Sequence, residues 1–519
     1  MRILMLGSDD LSGALRALGH EVLTCAPQEG ADLRVGEHDP SWRSLERLLK
    51  QKGFSPQAIL VTDCVGWRSL PTGVWDAPVP TAFWGIDSPL NRFWQFPYAR
   101  LFDLACLDQR REAKDLARRH RGAVWLPVAV EPSLYEGRGR DVPRRGVCFV
   151  GVINERVRPK RSRILEKISK IAPLEIRGGR KDAWFPTRRA AELYRSYQVI
   201  LNENLFPGVT TRPLEVMASG GALLSEAAPG DMDRFFTEGE HLLYFGPENL
   251  EQKLKLLLVD YKLCRRLGEQ GREAVTRHHG FKQRAETLVR HLQEASRPGI
   301  TRPGAGDALC WEGLALCLSG LRWPAKDGSR RIQRGLARLR SAAQDGAEPL
   351  QASRALGLMA AALGRHGEAL AHLARSAELG GARERLAWGL AAHQAGRAAL
   401  GREVLKPLAR RWPALAGTPG EAAFHFDAAR LLLATGCDLE PGFNRRPLAP
   451  VLWCALEHLL ECTRVDSRQA PAWELMGDLL LARGAPNQAY ESYQRARDIQ
   501  ERPELAAKQE RAGRQGYIL

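Results

Sequence analysis

The chain has 519 residues, which suits roughly three to four domains at about 150 residues each. Apolar residues make up 44% and charged residues 26%, which excludes a wholly disordered chain, and no uninterrupted apolar run reaches the ~18 residues of a membrane span. The net charge of +16, from 76 Lys and Arg against 60 Asp and Glu, leaves nucleic acid, an anionic membrane surface or an anionic small molecule to weigh as partners. Residues 1–6 read as a strand, 12–20 as a helix, 21–26 as a strand, 45–53 as an amphipathic helix, and 58–63, 79–87 and 102–107 as strands. Residues 112–122 read as a helix ended by Gly122, and 123–130 as a buried strand. This alternation, with continuously apolar strands, predicts a parallel sheet covered on both faces.

A break rich in Pro, Gly and Arg at 131–146 precedes a second such run. Strands are predicted at 147–152, 174–179, 199–204, 222–227 and 241–245, and helices at 161–171, 190–198 and 212–221. Helices then continue over 248–295. The division is therefore 1–140 and 141–298, two Rossmann-like α/β halves, followed by an all-α region at 305–519. In the last region Trp473, Gly477, Gly484, Ala489, Tyr493 and Ala496 stand at offsets 4, 8, 15, 20, 24 and 27 of one copy of a repeat. A second copy has Leu356, Gly357, Gly364, Ala369 and Leu373 at 7, 8, 15, 20 and 24. A third has Gly389, Gly396 and Leu405, closing at Pro413, and a degenerate copy centres on Gly436 with DLEPGFNRRPLAP inserted between its helices. The pattern is similar to tetratricopeptide (TPR) repeats. Small residues let paired helices approach, large ones fill the gap, and stacked pairs leave a concave face suited to an extended peptide.

The ten cysteines are scattered without a CxxC, and MRILMLGSDD turns acidic too early for a signal peptide, so a reduced, cytoplasmic chain is expected. The basic residues are mostly Arg and spread along the chain, with no zinc finger or RNP pattern. That sets nucleic acid aside in favour of an anion pocket, with peripheral membrane contact still open. Trp75, Trp84, Trp94 and Tyr98, with Phe83, Phe93 and Phe96, read as core before they read as a sugar-stacking platform. Asp9 and Asp10 are taken as caps of the next helix, and so are His278 and His279.

Chemistry concentrates in VILNENLFPGVTTRPLEVMASGGALLSE (199–226). A buried strand ends in Asn202, Glu203 and Asn204, a Pro207–Gly208 turn follows, and Thr210 and Thr211 are N-cap candidates for a helix. A helix start beyond a parallel strand presents free N–H groups to an anion. Arg212 adds a fork of donors for a diphosphate, and Glu215, one turn on, can accept from a ribose. The alternative is a capped helix with a solvated Arg and Glu.

Thr211 through Glu226, continued by FFTEGEHLLYF (235–245), resembles the C-terminal domain of GT-B glycosyltransferases, in the CgeB-like branch of the glycosyl transferases group 1 superfamily. CFVGVINERVRPKRSRILEKI (148–168), WGIDSP (84–89), AVWLPVAVEPSLY (123–135) and GREAVTRHHGFKQRAETLVRHL (271–292), with His278 and Arg284 on matching positions, extend the resemblance over about 1–295. It implies sugar transfer from a nucleotide-sugar donor bound in an interdomain cleft, mainly by the second domain. Glu215 matches the second Glu of the E-x7-E element, which holds the ribose; the first falls on Pro207, so neither sugar identity nor stereochemistry carries over. Asn202 or Asn204 is left to meet the sugar. Gly151, Arg156, Arg158 and Lys160 lie where relatives place a phosphate-facing loop, and Gly178 and Gly179 where the base borders; their bland readings are tight turns and a solvated helix start.

The resemblance also implies catalysis without a cofactor or metal, with helix N-termini and Arg or Lys neutralising the leaving diphosphate. Asp231-Met232-Asp233 is a chance D-x-D rather than a metal site. Asp87, against an Asx-turn reading, is the candidate general base. The expected acceptor is a protein, such as a surface-appendage subunit, held by the concave helical face; lipid-linked and polysaccharide acceptors stay open. The rivals are a non-catalytic scaffold with a degenerate transferase half and a nucleotide-sugar epimerase.

Overall fold

The structure, a computed structural model, describes residues 1–27, 29–36, 39–63, 69–137, 146–153, 159–178, 187–204, 208–227, 231–246, 248–295, 302–322, 326–344, 349–436 and 450–515. The first apolar runs form β1 (Arg2–Gly7), β2 (Glu21–Ala26), β3 (Leu33–Arg34), β4 (Ala58–Thr62), β5 (Thr81–Gly85), β6 (Leu104–Leu107) and β7 (Ala123–Trp125). They pair in parallel in the order β3-β2-β1-β4-β5-β6-β7. Consecutive residues Ile3 to Leu6 are all buried, as a sheet covered on both faces requires. The helices are α1 (Ser12–Ala17), α2 (Trp42–Gln51), α3 (Ser88–Ala99) and α4 (Arg110–Ala117).

Two expectations shift here. The strand expected over 123–130 leaves the sheet after Leu126 N–H reaches the Leu107 carbonyl, because Pro127 has no N–H to continue the ladder. The aromatic stretch conceals α3, which starts on Ser88–Pro89 and carries Pro97 inside it. Its Trp94 and Tyr98 pack on Phe83 and Phe102 with ring centroids 5.2–6.2 Å apart, so these aromatics form core.

The second sheet holds β8 (Val147–Val150), β9 (Leu174–Arg177), β10 (Val199–Asn202), β11 (Ala222–Glu226) and β12 (Leu243–Phe245), parallel in the order β12-β11-β10-β8-β9. With it come α5 (Pro159–Ser169), α6 (Thr187–Ser196), α7 (Thr211–Ala218), α8 (Leu250–Val259), α9 (Tyr261–His278) and α10 (Phe281–Ala295). The division expected at 298 differs from the packing. Ala285, Leu288, Val289 and Leu292 of α10 lie against Ile3, Met5, Leu11 and Leu15, so its apolar stripe completes the core of the first lobe. The two crossings between lobes touch: Val130 N–H donates to the His279 carbonyl and Phe281 N–H to the Val130 carbonyl. The buried Arg284 guanidinium binds the Pro127, Val128 and His278 carbonyls there. His279 accordingly does not work as a solvent-side cap: it is buried against Phe235, Phe236 and Arg284, and burial pushes it down to about 3.

The remainder is helical: α11 (Ala305–Arg322), α12 (Lys326–Gln344), α13 (Pro349–Ala362), α14 (His366–Leu379), α15 (Ala382–Gln394), α16 (Ala398–Leu405), α17 (Ala422–Ala434), α18 (Ala455–Val465), α19 (Ala470–Ala482), α20 (Pro486–Ile499) and α21 (Pro503–Gln515). Consecutive helices pack as pairs from α11/α12 to α19/α20, and α21 closes on α20. The repeat arithmetic has a direct physical counterpart. A Cβ on Gly357, Gly389 or Gly477 would lie 2.4–2.5 Å from Leu373, Leu405 or Tyr493, so offset 8 faces offset 24 in three pairs. Gly364, Gly396 and Gly484 share a left-handed φ of 70–72° that turns one helix into the next, and Gly436 ends α17 of the degenerate copy at φ 65°.

The free concave face needs correction. Residues 438–449 of the inserted DLEPGFNRRPLAP lie outside the described residues, but Pro450–Leu452 forms a short 3-10 turn that packs across α13 and α15. Val451 and Leu452 are buried in the helical core, so the chain's own segment fills that stretch of the surface. The pair α11/α12, which the repeat offsets miss, docks the helical region on the first lobe. Ala308, Ala315 and Leu316 join the core around Trp94 and Tyr98, Arg302 binds Asp103 (2.6 Å), and Arg331 holds Asp39 through two bonds of 2.7 and 2.8 Å. Among the described residues no helix is long and apolar enough to cross a membrane.

Candidate functional site

In an open parallel sheet, ligands collect beyond the carboxyl ends of the strands where the winding direction reverses. In the second sheet that point lies between β8 and β10, so Gly151 and Asn202 flank it. In the first it lies between β1 and β4, beside Ser8–Asp10 and Asp63. The carboxyl ends of the two sheets face each other. Gln109, after β6, bonds Val209, after β10, and Arg110 pairs with Asp231, after β11 (2.8 Å).

Arg212 occupies the reversal point of the second sheet. Its Nη1 donates to Asn202 Oδ1 (3.1 Å), and its guanidinium carbon sits 5.0 Å over the Phe149 ring. A Cβ on Gly151 would come within 2.6 Å of Arg212 Nη2, so the glycine makes room for the cation. Gly178, at φ +84°, backs directly onto Gly151, where a Cβ would be 3.2 Å from its N, so the glycine allows close backbone packing there. Thr210 is the N-cap of α7 by position, but its side chain makes no cap bond, and Thr211 opens the helix exposed. Glu215 lies one turn on. Burial raises its pKa, opposed by Tyr135 Oη (3.0 Å), Arg212 and Tyr194 Oη (3.4 Å). Tyr135 comes from the crossing after β7 and packs in the second lobe's core, so the crossing helps hold this carboxylate.

Several expected donor contacts are otherwise engaged. Lys160 is bound to Glu226 (2.8 Å), with Glu203 at 3.7 Å, instead of facing a phosphate. The cause is two buried carboxylates at adjacent strand ends, one of which Arg161 also neutralises (2.6 Å). Asn204 turns inward: its Nδ2 donates to the Glu226 carbonyl, its backbone N–H to Glu226 Oε2, and its Oδ1 accepts from Asn202. Asn202 thus orients Arg212 through its Oδ1 while its Nδ2 serves Asn204 and Ser225. Arg156, Arg158, Gly179 and Pro207 lie outside the described residues.

On the first lobe Asp87, the candidate base, stands at the N-cap of α3 without the side-chain cap bond that the rival turn reading would have required. It adopts φ 53°, ψ 41°, left-handed for a non-glycine residue. Such a conformation costs of order 1–3 kcal/mol and marks a position held by its surroundings. The holder is Asp108, which sequence reasoning missed. Its carboxylate accepts from the N–H groups of Asp87 (2.8 Å) and Ser88 (3.0 Å) and from the Ser88 hydroxyl. Burial, followed by the charge of Asp87, pushes Asp108 up to about 7. Asp10 is turned to the Ser8 hydroxyl rather than capping α1. Asp231 serves Arg110, so the D-x-D ties the lobes together.

Asp108, Gln109, Tyr135 and Tyr194 carry no motif, because each finds its partner only through the tertiary fold. Residues 158–290 match the family model described as glycosyl transferase-like. No curated protein matches the chain. Solved structures similar to it include a glycosyltransferase from Rickettsia africae, at 9% identity over 57% of this chain and 99% of that one, with a TM-score of 0.40. Anabaena Alr3699/HepE in complex with UDP-glucose aligns at 11% identity over 57% of this chain and 100% of that one, TM-score 0.41. The catalytic domain of starch synthase IV from Arabidopsis thaliana, bound to ADP and acarbose, aligns at 11% identity over 57% of this chain and 100% of that one, TM-score 0.42.

Proposed function

We propose that the chain is a GT-B glycosyltransferase, two Rossmann-like domains and a TPR region, that moves a sugar from a nucleotide-sugar to an acceptor. The observation that carries this reading is the Arg212 guanidinium laid over Gly151 at the reversal point of the second sheet, one turn from the enclosed Glu215. The family match over 158–290 supports it. In this reading the acceptor hydroxyl attacks the anomeric carbon, its proton passes to Asp87, and the bond to the diphosphate breaks. The uncapped start of α7 and Arg212 take up the departing charge without a metal or cofactor. Glu215 accepts from the ribose, and Thr210, Thr211 and Gly151 border the diphosphate; Gly178 backs Gly151 from behind, and Asn202 acts through Arg212.

The acceptor is a protein, and the reaction is cytoplasmic. The fixed docking of the helical region on the first lobe supports recruitment by that region, and the eight described cysteines, all buried, suit a reducing compartment. The helical surface for the acceptor is then the part beyond α13 and α15. Thermal-shift titration with UDP-, GDP-, ADP- and dTDP-sugars tests the reading. One nucleotide should raise stability by about 2.7 kcal/mol at a hundred times its Kd, and Arg212→Ala or Glu215→Ala should abolish the shift. No shift with any nucleotide would favour the scaffold reading, to which Pro207 in place of a Glu lends weight.

A further inference from the structure

A helix that starts without a side-chain cap needs its first turn held by something else. The Thr210 side chain makes no cap bond to α7, yet the loop before α7 is buried: Val209 is 1% exposed. What grips it comes from the opposite lobe. Gln109 Nε2 donates to the Val209 carbonyl (2.7 Å), and Val209 N–H donates to Gln109 Oε1 (3.0 Å). A carbonyl only accepts and an N–H only donates, so this reciprocal pair fixes the orientation of the carboxamide. Gln109 is itself 2% exposed, and its Nε2 also reaches Asp108 Oδ2 (3.1 Å), the carboxylate that seats Asp87. The loop is shaped for this contact. Gly208 has a φ of +141°, and a Cβ there would lie 2.0 Å from Gln109 Oε1.

We propose that Gln109 is a positioning residue that holds the 208–210 loop, and through it the α7 start and Arg212, in place for a nucleoside diphosphate. One side-chain amide pairs with one backbone amide across the cleft, and that pair links the seat of Asp87 to the seat of Arg212. Diphosphate binding on the second lobe therefore depends on a residue of the first that touches no part of the nucleotide. The proposal rests on the reading of Arg212 and α7 as the diphosphate site.

The test uses the full chain, with Gln109→Ala and, striking the same oxygen from the other lobe, Gly208→Ala. Hydrogen exchange followed by mass spectrometry reads the 208–212 peptide, and calorimetric titration with UDP, GDP, ADP and dTDP reads affinity. Losing two buried bonds should speed exchange of that peptide and weaken nucleotide binding by about 10- to 30-fold in each variant. The double variant should be no weaker than Gly208→Ala alone, since both act on one contact. Arg212→Ala should abolish binding and leave exchange at Val209 unchanged, which separates gripping the loop from gripping the ligand. Unchanged exchange over 208–212 in Gln109→Ala, or wild-type affinity in that variant, overturns the proposal. If no nucleotide binds the wild type, the glycosyltransferase reading fails, and the exchange experiment still decides whether Gln109 holds the loop.

Discussion

Asp108 shows how one buried acid shapes the site and the pH response. Its folded pKa of about 7 lies above the ~3.9 of an unfolded Asp, so the unfolded chain releases this proton first. The stability this group contributes is fully present below about pH 4 and is lost as pH rises through about 7. Asp108→Asn cannot ionise. The melting temperature of the wild type relative to Asp108→Asn should therefore fall steadily between pH 4.5 and 7.5 in a thermal denaturation series. A constant difference would show that Asp108 titrates normally. At this scale the sequence discloses what lies close along the chain. Arg212 and Glu215 share a helix face and were readable as a pair, and so was Asp87 at its strand end. Asp108, Gln109 and Tyr135 were not, because their partners lie 20 to 100 residues away and only folding brings them together. Lys160 misled for the same reason: a cation in a basic run looks free until Glu226 is placed beside it.

Elements were more legible than contacts. Buried parallel strands are short apolar runs, and eleven of the twelve among the described residues emerge from that signal; the two-residue β3 is too brief to leave one. The helix α3 was hidden because its prolines and aromatics blur the 3.6-residue period. In the helical region, glycine spacing was the useful signal, and it has an energetic consequence. Gly389→Val would drive a branched side chain into Leu405, now 2.4 Å from the place of a Cβ, and should cost about 1–3 kcal/mol. Gly367 also sits in a helix, α14, but meets nothing within 4 Å. Gly367→Ala should be neutral or stabilise by up to about 1 kcal/mol. Urea denaturation followed by circular dichroism would distinguish these outcomes.

For the whole molecule, the decisive contacts join regions that composition treats as separate. The Arg331–Asp39 pair is buried between the helical region and the first lobe, with Arg334 donating to the Asp39 carbonyl and to Thr72. Asp39→Ala removes the carboxylate opposite a buried guanidinium, which then keeps the neutral Ser319 hydroxyl as a partner, and should cost about 3–5 kcal/mol, while adding Arg331→Met should recover most of that loss, as read from denaturation midpoints. The change from strand–helix alternation to an all-helical region was visible in the patterning. The mechanical coupling of the regions was not, because docking surfaces such as the stripe on α10 look like any other amphipathic helix. The crossings at Val130 and Gly280 carry a last consequence. Two tethers that are bonded to each other, with Arg284 wedged across both, behave as a single pivot. Any change in the angle between the lobes should therefore turn about that point, and the Gln109–Val209 pair is a contact such a turn would have to break.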